Sequence, residues 1–309
     1  MVDLLYAFTE VLLPVAVVIA LGYLLGRAFP IDARTLNRLS LYVLSPCLVF
    51  VTLLRTDVAG GTASRLALQM LLVMLATTLL AALAASFFGL SGPQRSGMLL
   101  TSTFMNSGNY GLSVSRFAYG EPGFQLAIVG YLTQTILSQT LAIYLASAGH
   151  QSRRAALGQV FRVPLIYAVL LALALRLLGV PLDDTNGVVA ASIYRGLRLV
   201  ADATLPVLLL NLGTQLTQRQ PITSAGPLAS AALLRLVLSI PLAYGAGLLL
   251  GLGGLPLYIG TMQAAMPTAV NMVVLAVEFD AWPEFVSNGV VVTTLGSLAT
   301  LTLLIALFR

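Results

Sequence analysis

Runs of about twenty predominantly apolar residues recur along this 309-residue chain, near 5–26, 36–54, 66–88, 97–118, 124–148, 160–179, 188–215, 228–251, 256–277 and 285–308. A helix needs about 20 such residues to cross the hydrocarbon core of a bilayer. Within that core only structures that satisfy their own backbone hydrogen bonds survive. The runs are too long for barrel strands and show no period-two alternation. They predict an all-α integral membrane protein with ten transmembrane helices. The breaks carry turn residues: Arg27 to Arg38 around Pro30, Ser91-Gly92-Pro93, Glu121-Pro122-Gly123, His150 to Arg154, Pro181 to Asp184, and Gln218 to Pro221.

Composition agrees. Hydrophobic residues make up 58% of the chain and charged ones 9%, against about 25% charged in an average soluble domain. So few charges cannot tile a water-facing surface. The net charge of +5 comes from arginine alone, since the sequence has no lysine. Single arginines scattered through loops are topology signals, not a nucleic-acid patch. The lone Cys47 excludes an internal disulfide, and the lone His150 has no partners for a zinc site. No metal or cofactor is expected. Asp3 and Glu10 stand where a signal peptide would be basic, so the first run reads as a permanent span.

Laying out the spans exposes a repeat. Residues 39–46 read Leu-Ser-Leu-Tyr-Val-Leu-Ser-Pro and residues 199–206 read Leu-Val-Ala-Asp-Ala-Thr-Leu-Pro. Some 60 residues after each proline comes a polar, small-residue stretch: Asn106-Ser-Gly-Asn-Tyr-Gly111, and Ala265-Met-Pro-Thr-Ala-Val-Asn271. Two five-helix halves follow, 1–150 and 151–309. An odd number of spans per half inverts the second against the first, and inverted repeats are a mark of secondary transporters. Arg27, Arg34 and Arg38 share one side with Arg153, Arg154 and Arg162. The positive-inside rule puts that side in the cytoplasm and both termini outside, against the opposing cluster Arg176, Arg195 and Arg198.

Spans 4 and 9 are interrupted. Asn106, Ser107, Gly108, Asn109 and Gly111 lie in the middle of an apolar run, and asparagine and glycine are poor helix formers. In span 9, Pro267 removes a backbone donor and is flanked by Gln263, Thr268 and Asn271. A broken helix ends at the midplane, where its N-terminal half offers N–H groups and a partial positive charge to an anion. Two crossing broken helices, one per half, predict a substrate site open to either side in turn.

These motifs, with Pro46 and Pro206, resemble the auxin efflux carrier family, which includes plant auxin exporters and bacterial malate and malonate permeases. The resemblance covers nearly the whole chain. It implies two inverted five-helix repeats with broken, crossing helices 4 and 9, akin to the sodium/bile-acid symporter fold. Spans 1, 2, 6 and 7 would form a scaffold, often dimeric, and spans 3–5 and 8–10 a transport domain moving as an elevator. The long central loop of many plant members is missing here, and Tyr110-Gly111 replaces the proline they often carry in the fourth-span crossover. The missing proline weakens any transfer of auxin specificity, and the resemblance favours a carboxylate permease of a bacterial plasma membrane.

The expected substrate-binding residues are therefore Asn106, Ser107, Gly108, Asn109 and Tyr110 from span 4, and Gln263, Pro267, Thr268 and Asn271 from span 9. Gln134 and Ser138, with Gln139 beside them, would add a wall from span 5, or else only bond neighbouring helices. Charged groups near the membrane are functional candidates. Asp202 reads as an interfacial cap or a proton-coupling carboxylate. Arg116 reads as a snorkelling side chain or an attractor of anions. Arg235, inside span 8, calls for a carboxylate partner or for the polar cavity. The coupling ion stays open between sodium, proton and the anion's own gradient. An alternative is a sodium-coupled organic anion symporter of the bile-acid type. An intramembrane enzyme is less well supported, because the chain has no His-Glu-x-x-His, no Gly-x-Ser-x-Gly and no close acid pair. A channel would need a continuous polar or charged lining.

Overall fold

A computed structural model describes residues 2–56, 58–146, 164–180, 182–183, 187–217 and 220–309. Among these residues the only regular structure besides helices is one isolated β-bridge. His150, Arg153, Arg154, Arg162, Asp184 and the 150/151 boundary lie outside the described residues, as do the side chains of Arg34 and Gln139. In chain order the helices are α1 (Val2–Ala28), α2 (Thr35–Arg55), α3 (Gly60–Phe87), α4 (Gly92–Thr103), α5 (Ser107–Ala146), α6 (Pro164–Leu177), α7 (Val188–Gln215), α8 (Ala225–Leu249), α9 (Gly254–Ala264), α10 (Asn271–Glu278) and α11 (Pro283–Phe308).

Seven of these, α1, α2, α3, α5, α7, α8 and α11, are long and apolar enough to cross a membrane. The runs at 97–118 and 256–277 are not single helices: each splits into two pieces too short to span alone. The 40-residue α5 also breaks, at Gly120 (φ 61°, ψ −154°). Only glycine adopts such a conformation readily, and it separates limb 107–119 from limb 121–146 beside the expected Glu121-Pro122-Gly123 turn. On α3, Leu68, Leu72, Leu75, Leu79 and Leu83 recur along one exposed face. In hydrocarbon such a stripe costs nothing.

Three of the prolines inside spans follow widened turns. The π-helical segments Ala7–Leu12, Ser40–Leu44 and Leu234–Leu238 end just before Pro14, Pro46 and Pro241. A proline cannot donate and its ring presses on the carbonyl a turn back; a wider turn relieves that contact.

The strongest packing links the helices in two groups, with α1 also packing on α11 and α5 across them. α1 packs along α7, and α2 along α6 and α7. The second group joins α3 with α4, α5 and α8, α9 with α5 and α8, and α11 with α4 and α8. Within the first group the α1–α7 crossing is backbone on backbone. A Cβ on Gly22 would run into the Leu210 carbonyl, and one on Gly213 into the Ile19 carbonyl. Small residues permit such close approach, which drives helix association in lipid, where the hydrophobic effect does not.

Candidate functional site

The two gaps in the helices meet each other. The Asn106 N–H donates to the Pro267 carbonyl (2.7 Å), and the Ala269 N–H to the Phe104 carbonyl (2.9 Å). Met105 and Thr268 form the antiparallel bridge between them. Two of the backbone pairs that the breaks leave open thus satisfy each other, as burial in an apolar interior demands. Thr268 locks the junction further. Its Oγ1 donates to the Thr101 carbonyl (2.7 Å) and its N–H to Thr293 Oγ1 (3.0 Å). Thr268→Val leaves the Thr101 carbonyl without its donor, at a cost of about 1–3 kcal/mol. A melting temperature lower by roughly 2–10 °C is expected, readable by differential scanning fluorimetry in detergent. An unchanged melting curve would refute a locking role.

From this crossover a cavity of about 380 Å³ extends between the two helix groups. Its floor is Met105, Asn106, Ala269 and Val270. Limb 107–119 contributes Gly108 and Asn109, limb 121–146 contributes Tyr131, Gln134, Thr135 and Ser138, and α10 contributes Asn271, Val274, Leu275 and Glu278. The opposite wall is Asn37, Arg38, Ser40, Leu41 and Ser45 of α2, with Leu208 of α7.

Electrostatics favour an anion at the floor. Limb 107–119 and α10 both begin at the crossover, and a helix N-terminus carries about half a positive elementary charge. Gly108, Asn109 and Asn271, from those first turns, line the cavity. Three buried polar atoms on lining residues have no hydrogen-bond partner among the described residues: Asn37 Nδ2, Ser40 Oγ and Asn106 Nδ2. Unmade hydrogen bonds of this kind cost free energy in the folded protein and mark places where a ligand or water completes the set. Asn37 is held from behind, its Oδ1 accepting from Asn211 Nδ2 (2.7 Å) and Gln215 Nε2 (3.5 Å) of α7.

Six of the sequence-selected residues line this cavity: Asn106, Gly108, Asn109, Gln134, Ser138 and Asn271. The others stand behind it. Ser107 Oγ donates to Gln134 Oε1 (3.3 Å), orienting the wall. Gln263 braces α9 on α5 through Ser115 Oγ (3.0 Å) and packs under Gly111. Pro267 acts through its carbonyl and Thr268 through the bonds above. Tyr110 receives a hydrogen bond from Ser297 Oγ (3.4 Å) and faces a separate, apolar cavity of about 260 Å³ beside α1, α7 and α11. Gly108 has a packing reason to be glycine, because a Cβ there would stand 2.7 Å from the Tyr131 ring.

Sequence reasoning missed the α2 wall. Its signal was present: Asn37, Ser40, Leu41 and Ser45 recur at helical spacing, which puts them on one face. The charged candidates resolve differently from one another. Asp202 is exposed and ion-paired with Arg198 one turn earlier (3.9 Å). Arg116 pairs with Glu121 (3.7 Å) and covers the Phe124 ring (5.1 Å), away from the cavity. Among the described residues Arg235 meets neither a carboxylate nor the cavity wall; its guanidinium bonds main-chain carbonyls. Arg176, one of the cluster that opposes the positive-inside assignment, caps the end of α2 by donating to the Leu53 carbonyl (2.9 Å) and the Thr56 carbonyl.

Comparison with known proteins gives the same picture. A family model described as membrane transport protein matches residues 7–159 and 150–305. An "Uncharacterized transporter" of Methanothermobacter thermautotrophicus is 32% identical over 302 residues, covering 96% of each chain. A second "Uncharacterized transporter", from Methanocaldococcus jannaschii, is 23% identical over 95% of this chain and 96% of its own. A "Putative malonate transporter" of Rhizobium meliloti is 28% identical over 97% of this chain and 96% of its own. These names point to transport rather than catalysis. With apolar helices built to cross a bilayer and two broken helices meeting over a polar cavity, the chain is a multi-pass membrane transporter and belongs to the membrane transport protein family, that of the auxin efflux carriers.

Proposed function

We propose that this protein is a secondary active carrier of a small organic anion, a carboxylate of the malonate type, working by elevator-type alternating access. One observation carries the reading: two half-helix N-termini and the unpartnered amide donors of Asn37 and Asn106 converge on one cavity. A carboxylate supplies the acceptors those donors lack, and charge-assisted bonds of this kind are the stronger ones. The name of the Rhizobium meliloti relative supports the dicarboxylate class. In this reading Asn106, Gly108, Asn109, Gln134, Ser138 and Asn271 meet the substrate, while Ser107, Tyr110, Gln263, Pro267 and Thr268 shape the crossover. Ten spans in two inverted five-helix repeats divide into a scaffold of α1, α2, α6 and α7 and a moving unit of the remaining helices. The packing of α1 on α7 and of α2 on α6 and α7 supports that division, and two copies would pair through the scaffold. The cavity, whose lining includes the exposed Arg38 and Glu278, would open to the cytoplasm of a bacterial cell with both termini outside.

The test is transport by purified protein in liposomes, recorded as currents on a solid-supported membrane. Malonate, malate and an indole acid are applied with and without sodium at two pH values. Saturable malonate currents are expected. Asn109→Ala and Asn271→Ala should each raise the half-saturating concentration about 10-fold or more, since a hydrogen bond to a charged group is worth about 1.5–3 kcal/mol. Wild-type behaviour in both variants removes those two residues from the site. Silence toward every acid, in currents and in labelled counterflow, removes the carboxylate assignment.

A further inference from the structure

Arg235 is among the largest fully buried side chains of the protein and lies in the π-helical turn Leu234–Leu238 of α8. Its Nη1 donates to the carbonyls of Ser102 (3.2 Å) and Thr103 (2.8 Å), the last two residues of α4, and its Nη2 to the carbonyl of Ala264, the last residue of α9. These are the C-terminal ends of the two half-helices that stop at the crossover. Each such end carries about half a negative elementary charge, so together they present about one, which a single guanidinium matches. Main-chain carbonyls freed by broken helices are the groups that hold a coupling cation in transporters of this kind of architecture. Here a cation tethered to the chain holds them. The cavity on the other side of the crossover takes the positive helix ends, so the junction separates the two signs of helix dipole.

We infer that Arg235 is the resident cation of the crossover: its guanidinium fills the seat that the α4 and α9 carbonyls would offer a coupling metal ion, so sodium does not bind there and does not drive transport. The seat's occupancy stands on the geometry of Arg235 alone; the consequence for transport rests on the carrier reading above.

Melting of the detergent-purified protein tests occupancy without any substrate. Wild type should melt at the same temperature in sodium chloride and in choline chloride. Arg235→Met, similar in length and uncharged, should melt at least about 5 °C lower, and Arg235→Lys should stay close to wild type. Arg235→Ala opens the seat, and millimolar guanidinium chloride should then raise its melting temperature saturably where choline does not. A saturable sodium-specific shift in wild type overturns the inference. So does an Arg235→Met variant as stable as wild type, or a Lys variant as weak as Met. If Arg235→Ala yields no folded protein, the wild-type, Met and Lys comparisons decide. In liposomes, wild-type carboxylate currents should be equal in sodium and choline, and a sodium requirement overturns the transport half. Absence of any carboxylate current would count against the carrier reading instead, and the melting results would still settle the occupant of the seat.

Discussion

Asn106→Asp is expected to abolish saturable carboxylate transport while leaving the protein folded. The change keeps the side-chain shape and removes an Nδ2 donor that no group among the described residues accepts from, so no described hydrogen bond is lost. It puts a negative charge on the cavity floor, between the two half-helix N-termini. Two like charges about 4 Å apart repel by about 4 kcal/mol at an effective dielectric constant of about 20. At 1.4 kcal/mol per decade this is close to three decades of affinity. Asn106→Ala removes the carboxamide without adding a charge and should cost about 10–100-fold. Currents from the two variants, read beside their size-exclusion profiles and melting temperatures, check the ordering. An aspartate variant that carries malonate like wild type would mean that the anion does not bind at the crossover.

A comparably large effect, on assembly instead of binding, is expected from Gly213→Leu. A Cβ there would collide with the Ile19 carbonyl and stand 2.7 Å from the Tyr23 nitrogen. Both obstacles are main chain, so no side-chain rotation relieves them. The α1–α7 crossing has to open, which strains the reciprocal contact at Gly22. It also loosens the Asn211–Asn37 bond that holds α2 from behind. Overpacking of an ordinary core costs about 1–3 kcal/mol, occasionally more, and a crossing between two backbones has no slack to share the strain. A melting temperature at least about 10 °C lower, or loss of the monodisperse peak, is expected. Gly196→Leu, on the same helix with open space around it, should behave as wild type. A stable Gly213→Leu protein would show that the two helices do not depend on this approach.

Two local rules mark much of the candidate site in the sequence. Asparagines and glycines inside an apolar run, and a proline flanked by Thr268 and Asn271, are costly in hydrocarbon unless something satisfies them. Their presence in spans 4 and 9 located the crossover. The same rules could not separate residues that face the cavity from those that brace it. Gln263 and Thr268 look as available as Asn109 in the sequence, yet both are buried in bonds to Ser115 and Thr101. The α2 wall was missed because Asn37 and Arg38 sit next to a loop, where polar residues attract no notice. Arg235 calls in the sequence for a carboxylate partner or for the polar cavity and meets neither among the described residues: its acceptors are carbonyls that are free only because α4 and α9 stop where they do.

The sequence alone determined that this chain lives in a bilayer as helices and where two of those helices break. Both properties are local, since hydrocarbon offers no hydrogen bonds and each segment must satisfy its own. Tertiary structure decided which distant groups meet: Asn106 with Pro267, Arg235 with the ends of α4 and α9, and Asn37 with Asn211 across the α2–α7 contact. Those pairings follow from close packing of whole helices, set by contacts such as Gly22 on Leu210. Composition and spacing along one chain carry no record of which faces of different helices will touch.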